Sequence, residues 1–309
     1  MLSSVYFLIG PTAAGKTEAA LLIAPRLNAE IISADSMQVY RGADIVTAKP
    51  TSEERSRVRH HLVDILEPDE EWNVAEFREK ALAAIRDILK RGKRPLVVGG
   101  SGLYIRTLIY GIFKGPGKDD PLRGRLQYSS ARKGGQELWQ ELAAVDLKAA
   151  QGIAVQDRRR LIRALEVYHK TSVPLTVLKA RRTGLSSAYS LHVTGLMRPR
   201  GELYERAEAR VEEMFRAGLV EEVRLLVERG VGLTLSQCIG LKEVRGFLNG
   251  EWTLDEACER MKLATRHLVK KQLTWFRGES GVQWVTDDGA KRLGSGNEAA
   301  RAVLQGWGF

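Results

Sequence analysis

The sequence predicts an α/β protein, with a mainly parallel sheet flanked by helices and an all-helical lobe inserted into it. Three observations carry that expectation. Residues 10–17 read GPTAAGKT between an apolar run and an Ala- and Leu-rich stretch, the setting of a phosphate-binding loop. Short apolar runs then alternate with helical patterns at the length of βαβ units. From Gly111 to Gly124 the pattern turns to Gly, Pro and charge, and helices without alternation follow until about Leu196. The expected architecture is P-loop NTPase-like. Its core covers residues 1–112 and 197–309, helical in the C-terminal part, and the inserted helical domain covers 113–196.

Val5–Ile9 forms the first buried strand, and Glu18–Leu27 continues as a helix after the loop. Glu30–Ala34 reads as a second buried strand ending at Asp35, which puts a carboxylate at the strand edge where open α/β sheets bind ligands. Ser36–Pro50 is polar and contains Gly. The pair His60 and His61 points to opposite sides of an extended chain, so strand-entry packing is expected and not a metal site. Asn73 with Glu76 makes a capping box, and Val74, Phe77, Ala81, Ile85 and Ile88 recur at helical spacing until Gly92. Pro95 blocks continuation; Leu96–Val98 is a further buried strand, broken by Gly99, Gly100, Ser101 and Gly102 before a helix over Leu103–Tyr110.

In the inserted lobe, DRRRLIRALEVY at 157–168 places Leu161 and Leu165 on one helix face and Arg159 and Arg163 on another. That basic face is either solvated surface or a phosphate grip. His192–Leu196 returns to the sheet. The remainder is helical: Leu203, Ala207, Val211 and Met214 stop at Gly218, and Val220, Val223 and Val227 stop at Gly230. Thr253 and Glu256 cap a long helix whose Lys262, Arg266 and Lys270 fall four apart.

The length suits two lobes, and the apolar fraction of 44% with 28% charged residues is that of a globular protein. No apolar stretch approaches the ~20 residues of a membrane span, and the short N-terminal run leads straight into the phosphate loop. A cytoplasmic protein without a targeting segment is expected. Cys238 and Cys258 lack metal-ligand spacing and sit among apolar residues, which reads as two buried free thiols. Lys and Arg number 48 against 38 acids, a formal net charge of +10 that suits a polyanionic partner such as nucleic acid.

The loop itself explains its chemistry. Across Gly10, Pro11, Thr12, Ala13, Ala14 and Gly15, glycines let backbone N–H groups turn inward on phosphate oxygens; Lys16 adds a point charge and Thr17 a hydroxyl for Mg²⁺. A polyphosphate or pyrophosphate fits, but the loop does not say which compound carries it.

With these motifs in view, GPTAAGKT at 10–17, SADSMQVYRGADIVTAKP at 33–50, HHLVDILEP at 60–68, VVGGSGLYI at 97–105, DRRRLIRALEVY at 157–168, GLVEEVRLL at 218–226 and TRHLVKKQLTWFR at 265–277 together resemble the tRNA dimethylallyltransferases, in order, over roughly residues 5–285. Three places depart from that family's pattern: Ser101 stands for Thr, Leu241 for Tyr, and Ala154, Val155 and Gln156 precede Asp157 where the family has His-Pro-Asn.

The resemblance implies transfer of a dimethylallyl group from dimethylallyl diphosphate to the exocyclic N6 amine of the adenosine 3′-adjacent to the anticodon, with Mg²⁺ as cofactor and no membrane or protein partner, the chain acting as a monomer. Residues 10–17 would hold the diphosphate, Thr17 the metal. Asp35 is the expected base for the amine, the other reading being Mg²⁺ held through water. Ser101 would hydrogen-bond the donor's bridging oxygen or the amine. Ser36, Met37 and Gln38 would line the channel for an extruded base, Gln38 on the base edge, and Arg123, Arg159, Arg163, Lys270, Gln272 and Arg277 would grip tRNA. A kinase would use the same loop, yet Leu96–Val98 ends in Gly99 and not in a metal-holding acid. No Asn-Lys-x-Asp motif supports a GTPase, and a nucleotide-gated RNA-binding module would form no product.

Overall fold

A computed structural model describes residues 2–113, 115–117, 119–286 and 295–309. In chain order, β1 (Ser4–Ile9) leads through the phosphate loop into α1 (Lys16–Leu27), followed by β2 (Ala29–Ser33), α2 (Ser52–Arg57), β3 (His60–His61), α3 (Val74–Lys90), β4 (Arg94–Gly99) and α4 (Gly102–Tyr110). Five helices come next: α5 (Asp120–Lys133), α6 (Gly135–Val145), α7 (Leu147–Gln151), α8 (Arg158–Thr171) and α9 (Leu175–Ala180). The chain closes with β5 (Ser190–Met197), α10 (Arg200–Arg216), α11 (Leu219–Arg229), α12 (Leu241–Leu248), α13 (Leu254–Arg277), β6 (Gln283–Thr286) and α14 (Gly296–Gly306).

Two compact units result, Met1–Leu108 with Ala188–Phe309, and Ile109–Ser187. The second stops short of the expected residue 196 because Ser190–Met197 pairs with β1 from Ser4↔Ser190 to Ile9↔Gly195. The sheet has six strands, all parallel, in the order β3-β2-β4-β1-β5-β6. Apolar runs with both faces covered favour that arrangement. Every strand therefore ends at one edge, where Ile9 lies beside Gly99 and Gly195 in register. The chain leaves β1 toward β4 and β2 on one side and returns through β5 on the other, so the phosphate loop sits at the switch in strand order, the place such sheets bind ligands.

One face is packed by α1, α10, α13 and α14 through residues such as Ile23, Leu203, Val269 and Val303, all fully buried. On α3, Phe77, Ala81, Ile85 and Ile88 of the expected stripe are fully buried while Val74, at the first turn, is only partly so, and Phe77 stacks on Tyr104 at 4.0 Å between ring centroids. The Asn73 capping box forms as read: its side chain accepts from the Ala75 and Glu76 N–H groups while Glu76 accepts from Asn73 N–H. The second unit has its own core of Leu138, Leu142, Leu161, Leu165 and their neighbours. There Asp157 still caps α8 by accepting from Arg160 N–H despite the altered residues before it, and Leu241 is fully buried at the start of α12.

Two readings are corrected and one helix is added. The C-terminal part is not wholly helical, because Gln283–Thr286 adds a short edge strand; four residues are too few to show a period. Between the polar stretch Ser36–Pro50 and His60, where no element was expected, lies α2, capped by Thr51 and Glu54, which has no buried residue and hence no apolar signal. Cys238 is buried, but Cys258 is only partly so.

The histidines take separate jobs. His60 Nδ1 meets Val58 O at 2.7 Å, and His61 Nε2 lies 2.7 Å from the carboxylate of Glu30. Glu30 is fully buried on β2 and also accepts from both guanidinium N–H₂ groups of Arg91 and from Lys93, and these partners hold its carboxyl well below the usual carboxylate range. Glu30→Gln should destabilise the fold by about 3 kcal/mol, the low end for a broken buried pair because its cations reach solvent. A depressed carboxyl stabilises above its unfolded pKa, so the difference should shrink as pH falls below about 4. Urea titrations of both proteins at pH 7 and pH 3 check this; an equal difference at the two pH values would refute it.

Candidate active site

The phosphate loop takes its shape from a close backbone approach at Gly10 and from left-handed backbone at two further positions. Gly10 has φ +148°, and a Cβ there would lie 2.4 Å from Leu196 O. Gly15 is left-handed at φ 92° immediately before α1, and Ala13 is held at φ 65°. The first N–H groups of α1 have no intrahelical acceptor and point out of the helix end.

Three side chains from the segment after the insertion fasten this loop. Gln272 Oε1 accepts from Thr12 N–H at 2.8 Å, Arg206 Nε donates to Ala13 O at 2.9 Å, and Arg198 Nε donates to Ala14 O at 3.2 Å. The C=O and N–H of one peptide unit point opposite ways, so anchoring Ala14 O turns Gly15 N–H to the concave side. Lys16 Nζ donates to Pro11 O at 2.6 Å. Burial and the neighbouring Arg210 cation pull its ammonium down to about 7, with Asp35 opposing.

Asp35 follows β2 at the same edge. One carboxylate oxygen accepts from Met37 N–H at 2.8 Å, and burial raises its carboxyl above the usual range against the pull of that N–H and of Lys16. Ser101 precedes α4 at the end of β4. The turn is tight: a Cβ on Gly99 would lie 2.4 Å from Ala34 O, and one on Gly102 2.2 Å from the Trp275 ring. Lys16, Thr17, Asp35, Ser101, Arg210 and Gln272 share a cavity of about 570 Å³, which Val46, Met214 and Met261 also line with apolar surface.

The arrangement can hold an anion on the loop and present a carboxylate to whatever is bonded to that anion. Ser36 and Met37 also line the cavity. Gln38 does too, but its amide is engaged: Oε1 accepts from the Ser33 hydroxyl at 2.8 Å and Nε2 donates to Ala48 O at 3.3 Å. Reading a base edge is thus not its main employment. Gln272 is likewise committed, to Thr12 and to Gly100 O.

The expected basic grip divides. In the second unit Arg123 and Arg163 both turn onto Glu166, which is fully buried, and Arg163 also donates to Pro116 O, while Arg159 stays exposed. Along α13, Lys262 pairs with Glu212 and Glu259, and Arg266 with Glu208, which leaves Lys270 and Arg277 exposed. The sequence reading missed Arg198, Arg206 and Arg210. Arg206 and Arg210 stand four apart on α10, flanking its apolar stripe Leu203, Ala207 and Val211; that i,i+4 spacing was the available signal.

Comparison with known proteins gives the site its context. A family model described as IPP transferase matches residues 38–279, and one described as Isopentenyl transferase matches residues 3–71. A tRNA dimethylallyltransferase 2 of Geotalea uraniireducens (strain Rf4) is 46% identical over 280 residues, covering 90% of each chain. A tRNA dimethylallyltransferase 1 of Citrifermentans bemidjiense is 45% identical over 288 residues, covering 93% of each. Among solved structures, the full-length tRNA isopentenylpyrophosphate transferase of Bacillus halodurans matches with a TM-score of 0.68 and 38% identity over 100% of this chain and 99% of that one. A eukaryotic dimethylallyltransferase acting on tRNA matches with a TM-score of 0.77 and 26% identity over 99% and 79%.

The lowered Lys16 has a measurable consequence. A bound anion restores its ammonium, so above pH 7 binding must take up a proton. Affinity for inorganic pyrophosphate should fall by up to about tenfold per pH unit above 7. Lys16→Arg, charged throughout, cancels the ligand's own titration and should give the flatter profile in calorimetry; parallel profiles would refute the assignment.

Proposed function

Since the chain belongs to the family of tRNA dimethylallyltransferases, we propose that its phosphate loop holds the diphosphate of an allylic donor while the adjoining sheet edge alkylates a tRNA base. The chain is an enzyme that transfers a dimethylallyl group to tRNA. The donor is dimethylallyl diphosphate, and the acceptor is the N6 amine of the adenosine 3′-adjacent to the anticodon. One observation supports this reading most: an anchored phosphate loop with Lys16 and Arg210 shares its cavity with Asp35, while the end of β4 has no room for a metal-holding acid.

Phosphoryl transfer by this loop type usually relies on such an acid near the strand end. Here Gly99 meets the backbone of Ala34 instead. Leaving-group chemistry needs no acid there. As the donor's C1–O bond breaks, charge builds on the departing pyrophosphate, where the loop N–H groups, Lys16 and Arg210 stabilise it more than in the ground state. The base nitrogen forms its bond to C1 and loses a proton. Asp35 takes it, and its raised carboxyl makes it a better base than an ordinary surface aspartate.

The donor set suits Mg²⁺ that arrives on the diphosphate. The Thr17 hydroxyl lines the cavity without a hydrogen bond among the described residues, and no cluster of three acidic, His or Cys side chains occurs among them to form a separate cage. Mg²⁺ binds in just that way, with substrate phosphates and water completing its shell. Thr17 would hold it, and it would neutralise charge on the diphosphate. Ser101 hydrogen-bonds the bridging oxygen or the amine. Exposed Arg159, Lys270 and Arg277 contact tRNA phosphates, whereas Arg123 and Arg163 serve the second unit's own fold through Glu166.

Asp35→Asn should leave the dissociation constants for tRNA and donor nearly unchanged and lower the single-turnover rate by about 10²–10⁴-fold. Mass spectrometry of unmodified tRNA incubated with dimethylallyl diphosphate and Mg²⁺ reads the product. A near-normal single-turnover rate would remove Asp35 from the base role. Stoichiometric ATP consumption with no alkylated tRNA would end the prenyl-transfer reading itself.

A further inference from the structure

We propose that Gln272 is a positioning residue that sets the spacing between the loop that holds the leaving group and the loop that carries Ser101. The proposal rests on reading residues 10–17 as the diphosphate site. Gln272 lies on α13, and its amide bridges two segments far apart in sequence: Oε1 accepts from Thr12 N–H at 2.8 Å, and Nε2 donates to Gly100 O at 3.1 Å. The orientation of that amide is fixed by its partners, since a backbone N–H can only donate and a carbonyl can only accept.

The surrounding residues are fitted to this bridge. A Cβ on Gly100 would lie 2.6 Å from Gln272 Nε2 and 3.0 Å from Gly10 O, and Trp275, one turn further along α13, occupies the place of a Cβ on Gly102. Both glycines flank Ser101. The helix thus meets the two loops where Gly100 and Gly102 leave room for its side chains, and one side chain satisfies a group from each. Thr12 N–H is consumed in doing so, which leaves the concave side of the diphosphate loop to the N–H groups that follow it. Gln272 touches no reacting atom by this account; it acts through the distance between Lys16 and Thr17 on one loop and Ser101 on the other.

Two variants disturb the bridge independently. Gln272→Leu removes the amide at similar volume, and Gly100→Ala displaces it with a methyl group. Each should lower the single-turnover transfer rate by about 10²-fold, the cost of a reacting geometry that is off by about an ångström. Pyrophosphate affinity should fall by about tenfold, near the value of one hydrogen bond, while tRNA affinity holds within about twofold. The double variant should be no worse than either single one, as expected when both break one interaction.

A tRNA dissociation constant that rises tenfold with unchanged pyrophosphate affinity would make Gln272 a tRNA contact and overturn the proposal. Additive effects, or a lowered melting temperature with normal rate and pyrophosphate affinity in the folded protein, would also overturn it. A wild-type chain that binds no pyrophosphate would overturn the diphosphate reading together with the proposal, whereas wild-type binding matched by Gln272→Leu would overturn the proposal alone.

Discussion

The structure depends on how the phosphate loop is fixed. A loop of this kind concentrates N–H groups on its concave side, and its carbonyls must then find donors on the convex side, or remain unsatisfied at a cost of about 1–3 kcal/mol each when buried. Arg206 and Arg198 supply those donors to Ala13 and Ala14, and Gln272 takes up the Thr12 N–H. All three side chains come from the chain after the insertion. The N-terminal strand, loop and helix therefore do not make the site alone; α10 and α13 complete it and hold its left-handed residues in place.

Charge in this molecule follows a consistent pattern. Where cations serve the fold, a carboxylate accompanies them: Arg91 and Lys93 converge on Glu30, Arg123 and Arg163 on Glu166, and Lys49 and Arg55 on Asp64. At the phosphate loop Arg198 keeps such a partner in Glu202, but its neighbours do not. Among the described residues Lys16, Arg206 and Arg210 form no ion pair, and burial first, then repulsion from the neighbouring arginine, lowers Lys16 and Arg210. An anion bound at the loop, as proposed, would relieve repulsion that these cations exert on one another.

The sheet edge also suits the proposed carbon–oxygen cleavage. Close packing of Gly99 on Ala34 and of Gly102 on Trp275 leaves no place for an acid at those two positions, and among the described residues Asp35 is the carboxylate that lines the cavity from a strand end. One carboxylate and several cations suit the proposed reaction, in which an anion departs and a proton is removed.

What the sequence by itself determined is local. The loop motif with its flanking strand and helix, the capping box at Asn73, the α3 stripe and the position of Asp35 at a strand end each depend on residues close together in the chain. The family resemblance extended that reading to the reaction. Only the tertiary structure decided the rest. Which cations are free depends on whether a buried carboxylate such as Glu166 meets them, and that partner is unrelated to their own helix pattern. The roles of Arg198, Arg206 and Gln272 arise from contacts between residues 184 to 260 positions apart. Helical and strand periodicity records which face is buried, not which backbone group a polar side chain will reach once the sheet brings distant loops together.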